Sequence, residues 1–323
     1  MKALEAVPDG DGYRCGLVDA ERPVPAAGEV LVRVEASGLN RADLSQIAGR
    51  YPPPPGEPTT LGLELSGEVV GSGERVCALV AGGAHAEYAA VPSGQVLPVP
   101  EGTALRDAAA IPEAFLTAYL SLVVEGGLGR GARALVHAGA SGVGLAAIQT
   151  ARWVGASAAA TTRSAAKIEA LRQAGADPAI DTSAVRFEEA IARAWGRASV
   201  DVILDPVGAD TLAGDLDVLA VGGRVVFLAT MSGARAELDI ARLMGGRGRI
   251  IGSTLRSRSR EEKARLVERF RAEMLPGFHA GALRVAIDSI YPAVRAGDAF
   301  SRMRENRNVG KILLDWSGVG ESG

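Results

Sequence analysis

The sequence is poor in the residues that bind metals and form disulfides. Its 323 residues include only two cysteines and three histidines. Structural zinc sites use about four such ligands, and disulfide-stapled folds need several cysteine pairs. The composition therefore excludes a structural zinc cluster and a disulfide framework, and we expect no metal ion in the chemistry.

Strong charge and long apolar runs are also missing from the sequence. The formal net charge is -3 and the pI is about 5.8, so the chain lacks the basic field that nucleic acid requires. We find no apolar segment of the roughly 18 residues that span a membrane. The N-terminus lacks the apolar core of a signal peptide. These absences predict a cytoplasmic globular protein with neither a nucleic-acid nor a membrane partner.

The central stretch from Arg133 to Arg163 has the pattern of a dinucleotide-binding βαβ unit. An apolar run at residues 134–136 leads into a turn of small residues, and a helical pattern follows as far as Trp153. Such a turn lets the backbone approach a pyrophosphate, whose charge is met by the free N–H groups of the helix N-terminus. A glycine turn alone could serve packing only, but a strand on either side favours a nucleotide. The turn residues that we assign to the cofactor are Gly139, Ser141, Gly142, Val143 and Gly144.

The end of the second strand predicts which nucleotide is bound. It holds Thr162, Arg163 and Ser164, with Lys167 one turn further on. Sites that select NADH present an acid to the ribose about 20 residues after the glycines. Cations and hydroxyls instead suit a ribose 2′-phosphate, which predicts NADPH. The alternative interpretation of the two basic residues is a solvated helix start.

The remaining chain predicts an α/β protein with a separate β-rich domain. Short apolar strands alternate with Gly and Pro turns in the first third. Later apolar runs alternate with helices, as in a doubly wound parallel sheet. A long amphipathic helix runs from Arg260 to Pro276, and residues 283–316 return to strand, helix and strand. We expect this last portion to rejoin the β-rich domain.

Motifs along most of the chain resemble one known family. They include "SGLNRADL", "GRYPPPPG", "AAAIPEAFLTAY", "VHAGASGVG", "VDVILDPVG" and "NVGKILL". The sequence resembles the zinc-independent quinone oxidoreductase branch of the medium-chain dehydrogenase/reductase superfamily, most closely its tumour-suppressor-inducible quinone oxidoreductase subgroup. The resemblance implies a GroES-like catalytic domain from residues 1–119 and 259–323 and a Rossmann NADPH-binding domain from residues 120–258. It also implies a cofactor cleft between these domains, and a homodimer formed through edge strands of the Rossmann sheets.

The resemblance implies further cofactor contacts. Thr117 and the backbone at Ala229 would contact the nicotinamide carboxamide, while Asn308 and Lys311 would lie near the reacting end. The residues matching 2′-phosphate ligands are Ser164 and Lys167. In one departure, Thr182 stands where the family has a tyrosine that helps to hold the adenosine phosphate.

Two residues of the loop from "GLN" to "GRYP" can donate to a reduced product. Hydride transfer to a quinone or an activated alkene leaves an oxyanion, which needs a hydrogen bond and then a proton. Asn40 can donate without titrating, and Tyr51 can donate and be replenished from water. Tyr51 could equally be an aromatic wall, and Asn40 could cap the helix that follows it.

The sequence thus predicts an NADPH-dependent reductase acting on a quinone or a related conjugated carbonyl compound. Two alternatives remain: a 2-enoyl thioester or biosynthetic tailoring reductase, and a non-enzymatic nucleotide-binding structural or RNA-binding protein. We assign no catalytic role to His85 or His137, because His137 falls inside a predicted strand. Glu64 takes the position of an acid of the zinc-binding relatives, and we expect it to form a structural pair.

Overall fold

The computed structural model describes residues 1–10 and 12–319. The strands are β1 (Lys2–Asp9), β2 (Gly12–Asp19), β3 (Glu29–Gly38), β4 (Glu64–Val69), β5 (Arg75–Leu79), β6 (Tyr88–Pro92), β7 (Val96–Pro98), β8 (Arg133–Val136), β9 (Ser157–Thr162), β10 (Ala179–Asp181), β11 (Val200–Asp205), β12 (Leu219–Phe227), β13 (Arg249–Gly252), β14 (Ile287–Pro292) and β15 (Lys311–Asp315). The helices are α1 (Arg41–Ile47), α2 (Pro112–Tyr119), α3 (Gly142–Trp153), α4 (Ile168–Gln173), α5 (Phe187–Trp195), α6 (Leu212–Val218), α7 (Ile240–Gly245), α8 (Arg260–Glu273), α9 (Leu275–His279) and α10 (Ala296–Arg304).

The chain folds as two compact units. The first comprises Met1–Leu116, Leu255–His279 and residues 285–319, and the second comprises Thr117–Thr254 and Ala280–Arg284. The predicted boundaries, 119/120 and 258/259, lie within a few residues of these. The short segment Ala280–Arg284 differs from the prediction, which assigned it to the β-rich domain. It is held in the second unit by the Gln149 side chain, which bonds the Arg284 N–H at 2.8 Å and the Arg284 carbonyl at 3.1 Å.

The first unit is the predicted β-rich domain. Its larger sheet has the order β14-β15-β3-β4-β5-β7, with β6 paired to β3, while β1 and β2 form a hairpin. The strand β15 lies antiparallel to β3, with Leu314 opposite Ser37. This pairing confirms the prediction that the end of the chain returns to the first domain. Strand β2 was missed, because its residues "GYRCGLVD" are mostly exposed and lack a clear apolar alternation.

The second unit has the predicted doubly wound architecture. Its strands are parallel and have the order β10-β9-β8-β11-β12-β13. Strand β8 comes first in the chain and has β9 on one side and β11 on the other. The point where the strand order reverses is where ligands bind in such sheets, beyond the carboxyl ends of the strands. The α/β fold class, with a GroES-like domain and a Rossmann domain, is therefore confirmed.

One helical stretch corrects the expectation about membrane spans. Helical turns from Asp107 to Glu125 are long and apolar enough to cross a membrane, judged by length and composition alone. From the sequence we expected no such segment. However, 72% of its most apolar window is buried inside the protein. Burial of that extent is typical of a core helix, whose apolar residues serve packing.

The amphipathic helix of the last third ends earlier than predicted. Helix α8 stops at Glu273, and the short helix α9 (Leu275–His279) contains Pro276 and Gly277. A proline is tolerated in the first turn of a helix, where its missing N–H has no intrahelical partner to lose. The proline therefore lies near the start of a second helix and does not terminate the first.

Candidate functional site

The turn between β8 and α3 is held tightly by its glycines. A Cβ on Gly144 would lie 2.5 Å from the Ala138 carbonyl oxygen, and one on Gly139 would lie 2.8 Å from the Ala160 Cβ. The Ser141 hydroxyl accepts the Gly144 N–H at 3.0 Å and so caps α3. Only glycine fits at these two positions, because a side chain at either one would clash with the neighbouring atoms and push the turn away from the sheet.

The start of α3 is suited to an anion. The first helical hydrogen bond runs from the Leu145 N–H to the Ser141 carbonyl at 2.9 Å. The N–H groups of Gly142 and Val143 precede it and belong to half-buried residues, so they are the helix-end donors that a ligand or water must satisfy. With the helix dipole they make this helix end suited to an anion, and its binding of a pyrophosphate stays a prediction.

The end of β9 presents basic and hydroxyl groups. Strand β9 ends at Thr162, after which Arg163 is exposed and Ser164 and Lys167 are half-buried. Since β8 and β9 are parallel neighbours, their carboxyl ends lie at the same edge of the sheet. The glycine turn and these groups thus share one edge, as binding of an adenosine 2′-phosphate requires.

Thr117 and Ala229 belong to the same unit. Thr117 is 8% exposed, and its Oγ1 atom has no hydrogen-bond partner among the described residues. One turn later, the buried Ser121 hydroxyl is likewise unpartnered within the described part of the chain. Ala229 is half-buried just beyond β12, at the same sheet edge as the glycine turn. Buried polar atoms without partners are expected where a ligand completes the hydrogen bonding, so this unit fits a dinucleotide.

In the first unit, a buried network joins Asn40, Glu64 and Lys311. Lys311 Nζ donates to the Leu39 carbonyl oxygen and to Asn40 Oδ1, each at 2.7 Å, and also contacts Glu64 Oε1. Asn40 Nδ2 donates to Glu64 Oε1 at 3.0 Å and to the Gly38 carbonyl oxygen at 3.2 Å. An ammonium only donates and a carboxylate only accepts, so these partners fix the orientation of the amide.

This network leaves few donors for a ligand. The three N–H bonds of the Lys311 ammonium have three acceptors inside the unit, and the two of the Asn40 amide have two. The expected direct roles, Asn40 toward the product and Lys311 toward the cofactor, would require breaking these bonds. Asn308 lies three residues before Lys311, is half-buried, and donates to the Gly310 carbonyl oxygen at 2.8 Å. The geometry favours a positioning role for Asn40 and Lys311.

Asn40 also begins α1. Its backbone N–H donates to Asp43 Oδ2 at 2.7 Å, and the other carboxylate oxygen of Asp43 accepts the Gly62 N–H at 3.2 Å. The buried Asp43 side chain therefore ties the start of α1 to the segment before β4. Asn40 thus holds the loop in place through both its side chain and its backbone.

Tyr51 is held on the other side of this loop by Arg256. The Arg256 guanidinium carbon lies 5.0 Å from the ring centroid, and Nη1 donates to the Tyr51 carbonyl oxygen at 3.1 Å. Arg256 is itself fixed by Gln46 Oε1 and the Ala81 carbonyl oxygen, both at 2.7 Å. The Tyr51 phenol has no hydrogen-bond partner within residues 1–10 and 12–319. Burial raises the pKa of this phenol, the charge of Glu113 raises it further, and Arg256 opposes the change.

Glu113 is a residue that the sequence reasoning missed. It lies in the first turn of α2, and its N–H donates to Glu64 Oε2 at 2.8 Å. Burial and then the neighbouring Glu64 raise the pKa of its carboxyl group to about 8, although Lys311 lowers it. An acid at a helix start is ordinary. The sequence feature that could have indicated Glu113 as a candidate is its position inside the apolar run "AAAIPEAFLTAY".

The histidines have structural environments. His137 Nε2 lies 2.8 Å from Asp215 Oδ1, and Nδ1 lies 3.0 Å from the Thr161 hydroxyl. Burial lowers the pKa of His137, but the Asp215 carboxylate more than offsets this, so the pKa is raised. His85 Nδ1 lies 2.8 Å from the Ser37 hydroxyl in the core of the first unit. His137 is thus a satisfied core residue, as predicted.

No group of three or more His, Cys, Asp or Glu side chains is arranged as metal ligands within the part of the chain that the structure describes. Glu64, which takes the position of an acid of the zinc-binding relatives, is paired with Lys311.

Comparison with known proteins agrees with this architecture. Residues 26–101 match the family described as Alcohol dehydrogenase GroES-like domain, and residues 142–272 match the family described as Zinc-binding dehydrogenase. The chain is 32% identical over 318 residues to the human synaptic vesicle membrane protein VAT-1 homolog, covering 91% of this chain and 81% of that protein. It is 30% identical over 309 residues to quinone oxidoreductase of Sus scrofa, covering 92% of each. The quinone oxidoreductase of Thermus thermophilus, whose complex with NADPH has been solved, superimposes with a TM-score of 0.83 at 34% identity, covering 98% of this chain and 100% of that one.

A GroES-like sheet together with a parallel-sheet nucleotide unit defines a two-domain NAD(P)-dependent oxidoreductase. The identities reach 30% and more over nine-tenths of the chain. The chain belongs to the medium-chain dehydrogenase/reductase superfamily, in its quinone oxidoreductase branch.

Proposed function

We propose that the protein reduces a quinone or a related conjugated carbonyl compound with NADPH, by hydride transfer and without a metal ion. One observation carries this proposal: the Tyr51 phenol is the donor that stays available. Of the two candidate donors, Asn40 has both amide N–H bonds engaged inside its own unit. Tyr51 has its ring fixed by Arg256, while its hydroxyl has no partner in the described chain.

The assignment of NADPH is supported by the second unit. Gly142 and Val143 would hold the pyrophosphate through their N–H groups, and Thr117 Oγ1 would bond the nicotinamide carboxamide. Arg163, Ser164 and Lys167 would hold the 2′-phosphate. An Asp or Glu at this position would repel that phosphate, and none stands there. The Thermus thermophilus relative has been solved in complex with the same cofactor.

In this mechanism the bound nicotinamide supplies the hydride, and the protein supplies the proton. The Tyr51 hydroxyl donates a hydrogen bond to the acceptor oxygen, and then its proton, as negative charge develops there. Arg256 keeps the ring in place. The network of Asn40, Glu64 and Lys311 holds the segment from which the Tyr51 loop departs, so its role is positioning.

The experiment is steady-state oxidation of NADPH with para- and ortho-quinones beside crotonyl-CoA, run with and without a metal chelator. We expect quinone turnover that the chelator does not change. Strong enoyl turnover with negligible quinone turnover would replace the proposal with a 2-enoyl thioester or tailoring reductase. That alternative is favoured by one feature, since the "GRYP" motif of Tyr51 resembles the motif of the proposed proton donor in enoyl reductases. Tight NADPH binding without any turnover would favour the non-enzymatic alternative.

Three further expectations belong to this proposal. The substrate is a small molecule, and neither nucleic acid nor a membrane is a partner. The protein is a homodimer joined through an edge strand of the Rossmann sheet. Its location is cytoplasmic.

A further inference from the structure

A chain of buried polar contacts begins at His137, the residue directly after β8. Its Nε2 atom lies 2.8 Å from Asp215 Oδ1, in the first turn of α6. Both side chains are buried. The other carboxylate oxygen of Asp215 has no hydrogen-bond partner within the described part of the chain. Since a buried carboxylate is costly without a partner, His137 is the group that holds the Asp215 side chain, and with it the start of α6.

The start of α6 is in turn bonded to Asp205, the last residue of β11. The Asp215 N–H donates to the Thr211 carbonyl oxygen at 2.8 Å, and the Thr211 hydroxyl donates to Asp205 Oδ2 at 2.6 Å. The Oδ1 atom of Asp205 accepts the N–H groups of Val207 and Gly208, at 2.5 and 3.1 Å. Because Asp205 is fully buried, its carboxylate fixes the backbone of the loop that follows β11.

This loop, residues 206–211, is joined to the segment that follows β12. The Ser232 N–H and the Ser232 hydroxyl both donate to the Val207 carbonyl oxygen, at 2.8 and 3.0 Å. The same hydroxyl accepts the Asp210 N–H at 3.0 Å. Ala229 belongs to this segment, three residues before Ser232. A displacement of the 206–211 loop would therefore also move the backbone close to Ala229.

The two loops lie on the side of the sheet where the nicotinamide half of a dinucleotide belongs. In the strand order, β9 is on one side of β8, while β11 and then β12 are on the other. The groups assigned to the 2′-phosphate follow β9, and those assigned to the pyrophosphate follow β8. A dinucleotide that crosses the carboxyl edge in this direction has its nicotinamide beyond β11 and β12.

Building on the NADPH site proposed above, we propose that Thr211 and Asp205 are positioning residues for the nicotinamide half of the cofactor, anchored by the Asp215–His137 pair. Asp205 is buried and acts through the loop whose N–H groups it accepts. Thr211 links that carboxylate to the start of α6, so the loop keeps its place only while this hydrogen bond is made. The adenosine half is bound after β8 and β9, away from the Thr211 hydroxyl.

The test compares the binding of NADPH with that of adenosine 2′,5′-bisphosphate, which lacks the nicotinamide, by isothermal titration calorimetry. Thr211→Val keeps the shape of the side chain and loses the hydroxyl that bonds Asp205. We expect the Kd for NADPH to rise about tenfold, since a hydrogen bond to a charged group is lost, while the Kd for the bisphosphate changes less than about twofold. Thr211→Ser keeps the hydroxyl and should restore the affinity. Thr150→Val is the matched control, because it removes a buried hydroxyl that has no partner in the described chain.

The selectivity of the effect decides the outcome. Equal weakening of both ligands in Thr211→Val would overturn the proposal, because Thr211 would then support only the fold of the unit. Unchanged binding of NADPH would overturn it as well, and so would a Thr211→Ser protein that binds no better than Thr211→Val.

A second variant tests the anchor. Asp215→Asn removes the charge that faces His137 and should weaken NADPH while sparing the bisphosphate. If Asp215 acts through Thr211, the double variant with Thr211→Val binds NADPH no more weakly than the weaker single variant, because the two effects are not additive. Additive losses, or an Asp215→Asn protein that binds NADPH like the wild type, would overturn the anchoring role.

These binding measurements are independent of turnover, which separates this proposal from the proposed function. A wild type that binds NADPH but reduces no quinone would overturn the proposed function and leave the roles of Thr211 and Asp205 standing. A wild type that binds the bisphosphate and NADPH equally well would overturn those roles even if quinone is reduced, because the nicotinamide half would then add nothing to the affinity.

Discussion

Lys311 Nζ donates to Asn40 Oδ1 over 2.7 Å, which places a residue of the last strand against the start of α1. The contact exists because β15 pairs with β3, the strand that leads into Asn40. Glu64 lies on β4, on the other side of β3, and accepts a hydrogen bond from the Asn40 amide. Three neighbouring strands therefore hold one amide, and the loop that carries Tyr51 departs from that point.

Replacement of Lys311 tests this arrangement. In Lys311→Met the fully buried Glu64 carboxylate keeps its place and loses its ammonium. Breaking a buried pair by removing one partner costs about 3–5 kcal/mol, so the free energy of unfolding in urea should fall by that amount. The control is Lys2→Met, which removes an exposed ion pair with Asp19 and should cost less than about 1 kcal/mol. Equal effects of the two substitutions would contradict a structural role for Lys311.

Removal of the Tyr51 hydroxyl tests the proton donor. Tyr51→Phe keeps the ring that packs on Arg256 and loses only the O–H group. We expect kcat to fall about 100-fold, within the range that a positioned acid contributes, while the Kd for NADPH changes less than about twofold. Tyr13→Phe, at a residue 58% exposed, is the matched control and should have no effect. A small change in kcat would identify Tyr51 as a pocket wall instead.

The two units differed in how much of their candidate site the sequence could predict. The glycine turn is a local feature, since Gly139, Ser141 and Gly144 act within one β-turn-α segment. Spacing along the chain was therefore sufficient to predict their geometry.

The network of the first unit depends on strand pairing. Asn40 and Lys311 are 271 positions apart, and nothing in either local pattern indicates that their side chains bond. For this reason the sequence suggested Asn40 as a free donor. Glu113 was missed for a related reason, because its neighbour Glu64 lies 49 positions earlier. The raised pKa of Glu113 depends in part on that neighbour, which only the fold places beside it.

The assignment of the 2′-phosphate is tested by two substitutions. Arg163→Ala with Lys167→Ala removes the cations after β9. Hydrogen bonds to charged groups contribute about 1.5–3 kcal/mol each, so the Kd for NADPH should rise at least about tenfold while that for NADH stays unchanged. Arg172→Ala, at an exposed residue of the next helix, serves as the control. Fluorescence titration with both nucleotides is the measurement, and equal weakening of both would refute the assignment.

Glu113 also predicts how stability depends on pH. Its folded pKa of about 8 lies above the ordinary value of 4.5, so the folded state binds this proton more tightly than the unfolded chain. The contribution of Glu113 is therefore lost as pH rises between those two values, by an amount on the order of a few kcal/mol. Glu113→Gln should lack this loss, so its free energy of unfolding should decrease less between about pH 5 and about pH 9. Parallel curves for the two proteins in urea would contradict a protonated Glu113.

The edges of the Rossmann sheet predict where a second copy would bind. At one edge, β10 has only the residues Ala179–Asp181, and so short an edge is poorly suited to pairing. At the other, β13 follows helix α7, whose Ile240 and Met244 are 62% and 72% exposed, and Ile250 of β13 itself is 38% exposed. A stable dimer needs about 1,200 Å² or more of buried surface, and an apolar edge with an adjoining helix can supply part of it.

Ile240→Lys with Met244→Lys should therefore give a monomer in analytical ultracentrifugation, whereas Val294→Lys, at a residue 65% exposed in the first unit, should leave a dimer. A monomeric wild type would rule out the homodimer, and a double variant that stays dimeric would move the interface away from β13.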